Sequence, residues 1–354
     1  MTMTARYIPY TLKFKRPSGT SRGVMHIKET YFIVLEHGQR TGIGECGVLW
    51  GLSPDPKAQY EEKLAQVCRD IHLGLEVLVE NLEDFPSIRM GLMTAFDALN
   101  AAVPMQLYPS DFISGTQGGI GPGMAINGLI WMGDFTFMKA QIKDRLSEGF
   151  RCLKLKIGAQ DFAEEWSLIK RLRSEYPPDD LEIRVDANGA FTVDSALEKL
   201  QRLSDLYLHS IEQPIAVNQW AIMEQLVEES PLAIALDEEL IGLTTTEQKQ
   251  QMLHQIKPHF IILKPSLIGG LDRTDQWINW AENLGIGWWV TSALESNIGL
   301  NAIAQYTATK AISMPQGLGT GSLYLNNIPA PLTVQKAKLH YDLNQKWSFN
   351  SLNL

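Results

Sequence analysis

The spacing of apolar residues changes character twice along the chain. Thr30 to Glu36 (TYFIVLE) is a run of β-branched and aromatic residues, followed by His37-Gly38 and then Thr41-Gly-Ile-Gly-Glu45. This predicts an antiparallel meander turning on glycines. From Ser53 to Asp70 the period lengthens: Tyr60, Leu64 and Val67 fall at i, i+4 and i+7, a helix started by Ser53-Pro54. Ile88 to Ala102 is apolar nearly all round and predicts a second, buried helix. Strands followed by helices describe an α+β domain over residues 1–122. Gly115 to Gly123 (GTQGGIGPG) is the loop that closes it.

From residue 124 short apolar strands alternate strictly with amphipathic helices. The predicted strands are Met124–Ile130, Cys152–Ile157, Glu182–Asp186, Tyr207–Glu212, Leu232–Asp237, Phe260–Lys264, Gly287–Ser292 and Ala311–Met314. Most are continuous apolar runs, as parallel strands covered on both faces require. Eight strands and seven crossover helices predict a (β/α)7β form of the TIM barrel over residues 123–322. No helix follows the eighth strand. The chain from Asn326 is Pro-rich and then strand-like at Lys338–Tyr341, so 323–354 is expected to return to the N-terminal domain.

Composition narrows the function classes. The 354 residues suffice for two domains, and 45% hydrophobic with 20% charged residues is a globular balance. A net charge of −9 lacks the basic footprint of a nucleic-acid binder. Three cysteines, Cys46, Cys68 and Cys152, form no CxxC pair, which argues against a disulfide framework or a cysteine-rich zinc site. No apolar stretch is long enough to span a membrane, and the start lacks a secretory pattern. A soluble, cytoplasmic protein is expected. Its oligomeric state is open, a homo-oligomer included.

Barrel enzymes place their chemistry at the C-terminal ends of the strands. There the sequence sets Lys154 and Lys156 in strand two, Asp186 at the end of strand three, Glu212 of strand four, Asp237 of strand five and Lys264 of strand six. The steps Asp186–Glu212, Glu212–Asp237 and Asp237–Lys264 are 26, 25 and 27 residues, each one βα unit. The three carboxylates therefore converge, and a hard divalent cation would relieve their repulsion, Mg²⁺ foremost with Mn²⁺ as a substitute. Lys154 and Lys156 share a face of their strand, and Lys264 approaches from across the barrel. Crowding by charge and cation is expected to lower a lysine pKa toward a usable base. Such a site suits proton removal beside a small-molecule carboxylate.

Taken together, KxK, DAN, EQP, DE and KP in this order resemble the enolase superfamily, in its muconate-lactonizing subgroup. The resemblance covers nearly the whole chain and implies a capping α+β domain completed by the C-terminal tail. Gly44-Glu-Cys-Gly47, Gly51-Leu-Ser53, Arg184-Val-Asp-Ala-Asn188, Ser292-Ala-Leu-Glu-Ser296 and Gly317-Leu-Gly-Thr320 resemble the o-succinylbenzoate synthases of that subgroup. The resemblance implies syn dehydration of 2-succinyl-6-hydroxy-2,4-cyclohexadiene-1-carboxylate through a metal-stabilised enediolate. Lys156 would be base and then acid, Lys264 would face the ring, and Lys154 would tune Lys156. It implies Asp186, Glu212 and Asp237 as metal ligands, although Glu238 or Glu239 stands close enough to replace Asp237. Ser292 and the Gly317–Gly319 backbone would line the succinyl side. Gly19 to Gly23, with Arg22, would form a lid.

Each assignment has a plainer counterpart. The carboxylates could be barrel-rim ion pairs, Lys154 a bystander, and the lid an ordinary hairpin tip. Arg184 could contact substrate or pair with Asp186, and Asn188 could bond a metal ligand or cap its loop. Dipeptide epimerases of the subgroup carry an Asp-x-Asp after strand eight, where this chain has Gly319-Thr-Gly321. N-acylamino-acid racemisation on the same site stays open, as do a Schiff-base lysine enzyme and a non-catalytic barrel.

Overall fold

The computed structural model describes residues 2–20, 23–114 and 119–354. An antiparallel sheet opens the chain, with β1 (Thr4–Thr20), β2 (Gly23–His37) and β3 (Arg40–Cys46) in that spatial order. Residues 30–35 of β2 are buried on both faces. Tyr31, Ile33 and Leu35 pack with Leu64, Ile88 and Leu92 of the helices, and Phe32 and Val34 pack on the other side with Ile43, Ile298 and Ile328. That double burial explains why TYFIVLE is continuous rather than alternating. Strand β1 lies at a sheet edge, where Pro9 and Pro17 cost no ladder bond.

Three helices cover this sheet: α1 (Tyr60–Arg69), α2 (Leu75–Glu80) and α3 (Pro86–Asn100). Helix α1 starts later than its apolar period suggests. Pro54 and Pro56 disfavour helical backbone in the residues before them, so only a short 3₁₀ turn at Lys57–Gln59 precedes it. Helix α3 is buried nearly all round, as expected, between the sheet and the parallel-sheet half of the molecule. The glycines of Thr41-Gly-Ile-Gly-Glu45 lie inside β3, not at turns. A Cβ on Gly44 would stand 2.6 Å from the Ala95 nitrogen, so the missing side chain lets α3 press against the strand.

The second half begins with β4 (Met124–Ala125) and β5 (Gly128–Ile130), then α4 (Phe135–Ser147), β6 (Cys152–Lys156), α5 (Phe162–Glu175), β7 (Glu182–Asp186) and α6 (Val193–Ser204). It continues through β8 (Ser210–Glu212), α7 (Trp220–Glu229), β9 (Ile234–Leu236), α8 (Thr246–Ile256) and β10 (Phe260–Leu263). It closes with α9 (Pro265–Ile268), α10 (Leu271–Asn283), β11 (Gly287–Val290) and α11 (Asn297–Ala308). Strands β5 to β11 form one curled parallel sheet in sequence order. The expected eighth strand at Ala311–Met314 does not form. Two isolated bridges replace it, Ile126 to Gln316 and Thr291 to Gly317. Pro315 has no N–H to give a ladder, and the Gln316 side chain stands in for backbone, its Oε1 accepting from the Val290 N–H at 2.8 Å.

After α11 the chain touches both halves. Tyr324 bridges to Phe14, and Asn326 accepts from the Lys13 N–H at 2.8 Å. The hairpin β12 (Leu332–Gln335) and β13 (Lys338–Tyr341) pairs with β4. Among the described residues no helix is long and apolar enough to cross a membrane.

Candidate active site

Strand register brings the sequence-predicted charges to one level. Lys156 on β6 stands opposite Asp186 on β7, which stands opposite Glu212 on β8. Asp237 directly follows β9, and Lys264 directly follows β10. All five side chains, with Lys154, are buried.

The contacts between them are dense. Lys156 Nζ donates to Asp186 Oδ2 at 2.5 Å and to Asn188 Oδ1 at 3.0 Å. Lys154 Nζ lies 2.8 Å from Asp186 Oδ2 and also pairs with Glu212. Lys264 pairs with Asp237. Glu212, Asp237 and Glu238 each bring a carboxylate oxygen within 4.8 Å of the others. Asp186 stands beside them: Lys154 bridges it to Glu212, and its Oδ2 also takes Lys156.

Burial favours the neutral form of every group here, and the neighbours decide the outcome. For Asp186, burial is outweighed by Lys154 and Lys156, which hold its carboxyl far below the usual range. For Asp237 the Lys264 ammonium does the same. Glu212 goes the other way: burial and the charges of Asp186 and Asp237 push it well up. Two of the lysines go up as well. Against burial, Asp186, Glu212 and Asp237 raise Lys154, and Asp237, Glu238 and Glu212 raise Lys264.

The donor set fits a hard metal ion. Glu212 Oε1 and Asp237 Oδ1 are buried and have no hydrogen-bond partner among the described residues. An unpaired carboxylate oxygen in the interior is costly, and a divalent cation satisfies it.

Above the cluster lies a cavity of about 460 Å³ whose wall includes Lys154, Lys156 and Lys264. Ser292, Gly317 and Gly319 are part of its wall. The end of the β1–β2 hairpin closes one side through Ser18, Gly23 and Met25, and Gly19 O accepts from the Met132 N–H at 3.3 Å. Arg22 lies outside the described residues. Asn188 serves the charged cluster, donating from Nδ2 to Glu238 Oε1 at 2.8 Å. Arg184 does not pair with Asp186. Its Nε donates to Glu182 at 2.6 Å and its guanidinium stacks 4.4 Å from the Trp289 ring, one strand layer below Asp186. Strand parity put Arg184 on the inward face but could not tell barrel filling from substrate contact.

Two further features of the wall went unread in the sequence. Asn127 lines the cavity from the residue before β5; its signal is a lone amide in the apolar run Met124–Ile130. Leu49 and Trp50 close the N-terminal side, from a loop with no periodicity to announce it.

Comparisons with known proteins agree with this geometry. Residues 138–342 match the family described as enolase C-terminal domain-like. The o-succinylbenzoate synthase of Desulfotalea psychrophila (strain LSv54) is 45% identical, over 94% of this chain and 97% of its own. The crystal structure of MenC from Desulfotalea psychrophila LSv54 superposes with a TM-score of 0.84 at 42% identity, covering 96% of this chain and all of that one. A muconate lactonizing enzyme from Pseudomonas fluorescens, at 22% identity and a TM-score of 0.82 over 99% of this chain and 98% of its own, shares the fold.

Proposed function

The chain belongs to the enolase C-terminal domain-like family, and from that premise we propose that it acts as an o-succinylbenzoate synthase of menaquinone biosynthesis. The reaction is loss of water from 2-succinyl-6-hydroxy-2,4-cyclohexadiene-1-carboxylate. The observation that carries this reading is the placement of Lys156 and Lys264 in the wall of one cavity, on strands that flank the carboxylate cluster from either side.

Lys156, as the free amine, takes the proton from ring carbon 1. The electron pair left behind spreads into the ring carboxylate, then forms the new ring double bond as the carbon–oxygen bond at carbon 6 breaks. The same lysine returns its proton to the departing hydroxyl on the same face, so water leaves and the amine is restored. Lys264 presents its cation to the other face of the ring. Lys154 holds Asp186 and Glu212 in place and keeps positive charge beside Lys156.

Asp186, Glu212 and Asp237 would hold Mg²⁺, with Glu238 the next carboxylate within reach. Bound there, the ion offsets negative charge that develops on the substrate carboxylate. We take residues 1–122 with 323–354 as the cap over this site, 123–322 as the (β/α)7β barrel, and the cytoplasm as its location. Three free cysteines agree with a reducing compartment.

The test is the absorbance of the diene substrate with purified protein. Mg²⁺-dependent loss of the diene signal, absent in Lys156→Ala, supports the reading. No turnover with Mg²⁺ present overturns it, and α-proton exchange into N-acylamino acids in D₂O would then identify a racemase on the same residues.

A further inference from the structure

Among the described residues, the buried polar side chains of the cavity wall include one with unused hydrogen-bonding capacity. Lys154, Lys156 and Lys264 are engaged with carboxylates. The Thr291 hydroxyl donates to Gly317 O at 3.0 Å, and Ser292 and Thr320 bond each other at 2.6 Å. Gln141 is committed twice to the Trp131 backbone, at 2.9 Å each, and the Ser18 hydroxyl reaches Arg16 O. Asn127 differs. It is 6% exposed, its Oδ1 is buried without a partner, and its Nδ2 makes no hydrogen bond among the described residues. Its backbone is fixed, with the N–H donating to Gln316 O at 3.0 Å.

A buried amide left unpaired costs stability, so native interiors rarely keep one without a use. The position of Asn127 suggests the use. It sits before β5, next in the sheet to the lysine strand β6, while the carboxylate cluster occupies β7 to β9. It also lies beside the 316–319 segment: a Cβ on Gly319 would stand 3.6 Å from Asn127 O. A substrate whose ring carboxylate faces the cluster has its ring beside the lysines. Its ortho substituent then extends toward Asn127.

Resting on the synthase reading, we propose that Asn127 is the residue that recognises the succinyl substituent, its Nδ2 donating to a carbonyl-type oxygen of that chain. The amide is neutral and its Nδ2 donates to no described residue, so on that side it selects for an acceptor without adding charge near the base. It thereby discriminates the succinyl chain from an alkyl chain of the same length, because an alkyl chain would leave the amide buried and unpaired.

The experiment is calorimetric binding to the Mg²⁺-loaded protein of three ligands: o-succinylbenzoate, 2-butyrylbenzoate, which keeps only the ketone, and 2-butylbenzoate, which keeps no acceptor. Wild type should prefer o-succinylbenzoate over 2-butylbenzoate. Asn127→Ala should shrink that preference on the order of 10–100-fold, the worth of one such hydrogen bond. Asn127→Asp, which preserves shape, should lose o-succinylbenzoate at least as severely. Loss for both o-succinylbenzoate and 2-butyrylbenzoate identifies the ketone, and loss for o-succinylbenzoate alone identifies the terminal carboxylate. Folding of each variant is checked by its melting temperature. If the folded variants keep the wild-type preference within twofold, the Asn127 assignment is overturned while the synthase reading stands. If wild type itself neither binds o-succinylbenzoate nor dehydrates its precursor, the synthase reading fails and takes this proposal with it.

Discussion

Glu45 on β3 caps a helix of the other half of the molecule: its carboxylate accepts the Ser296 N–H at 2.9 Å, alongside the Ser296 hydroxyl at 2.5 Å and the Gly299 N–H at 2.9 Å. A fourth bond comes from the Thr30 hydroxyl at 2.8 Å. Ser296 is the N-cap of α11, so a carboxylate of the N-terminal sheet takes the cap N–H and the Gly299 N–H of its first turn, while Asn327 and the Ser296 hydroxyl take the two between. Ser292, Ala293 and Leu294, just upstream, line the cavity. Glu45→Ala should therefore cost about 3 kcal/mol or more in chemical unfolding, since it also strips a counter-charge from buried Lys28. Glu45→Gln should cost less than half of that. A Glu45→Ala protein that unfolds at the wild-type denaturant midpoint would show that the cap carries no load.

Lys156 and Lys264 should be separable from folding. Each sits at the cavity wall, paired with a single carboxylate through its ammonium group. Lys156→Ala should lower kcat about 10²–10⁴-fold, the usual worth of a positioned acid–base group. Far-UV circular dichroism should stay unchanged. Retention of more than a tenth of the wild-type rate would remove Lys156 from its role as base.

The charged residues were legible because each ends an apolar run, and a charge at the end of a buried strand breaks its pattern visibly. Cys152–Lys156 and Glu182–Asp186 appear almost as the sequence predicts, and their register sets Lys156 beside Asp186. Other features depend on contacts that no local pattern encodes. The eighth strand shrinks to bridges at Gln316 and Gly317, directly after Pro315, which has no N–H to extend the ladder. Gly42 and Gly44 look like turn residues, yet they are where α3 meets β3. Arg184 shares an inward face with Asp186 but sits a layer deeper, against Trp289. Asn127 is a single amide in an apolar run, and only the finished cavity shows that its Oδ1 lacks a partner among the described residues.

Metal should act on stability as well as on rate. Adding Mg²⁺ to chelator-treated protein should raise the melting temperature, with about 2.7 kcal/mol gained at a concentration 100 times the dissociation constant. Glu212→Gln should lose most of that gain, because Glu212 holds a buried carboxylate oxygen with no partner among the described residues. Equal Mg²⁺-induced shifts in wild type and variant would place the ion elsewhere.

Asp55 gives the fold a pH dependence remote from the catalytic carboxylates. Burial pushes its carboxyl up to about 7, against the pull of Ser87, whose N–H and hydroxyl donate to Oδ1 at 3.2 and 2.7 Å. The folded state therefore holds this proton more tightly than the unfolded chain, whose aspartate ionises near its ordinary value of 3.8. A raised folded pKa means that the contribution is fully present below about 4 and is lost as pH rises through about 7. Its upper bound is about 4 kcal/mol. Asp55→Asn keeps the acceptor oxygen facing Ser87 and removes the titration. Urea unfolding at pH 5 and pH 8 should show wild type losing stability across that interval by more than the variant does. If the two proteins change in parallel, Asp55 is ionised in the folded state throughout, and the start of α3 is capped by a charged carboxylate.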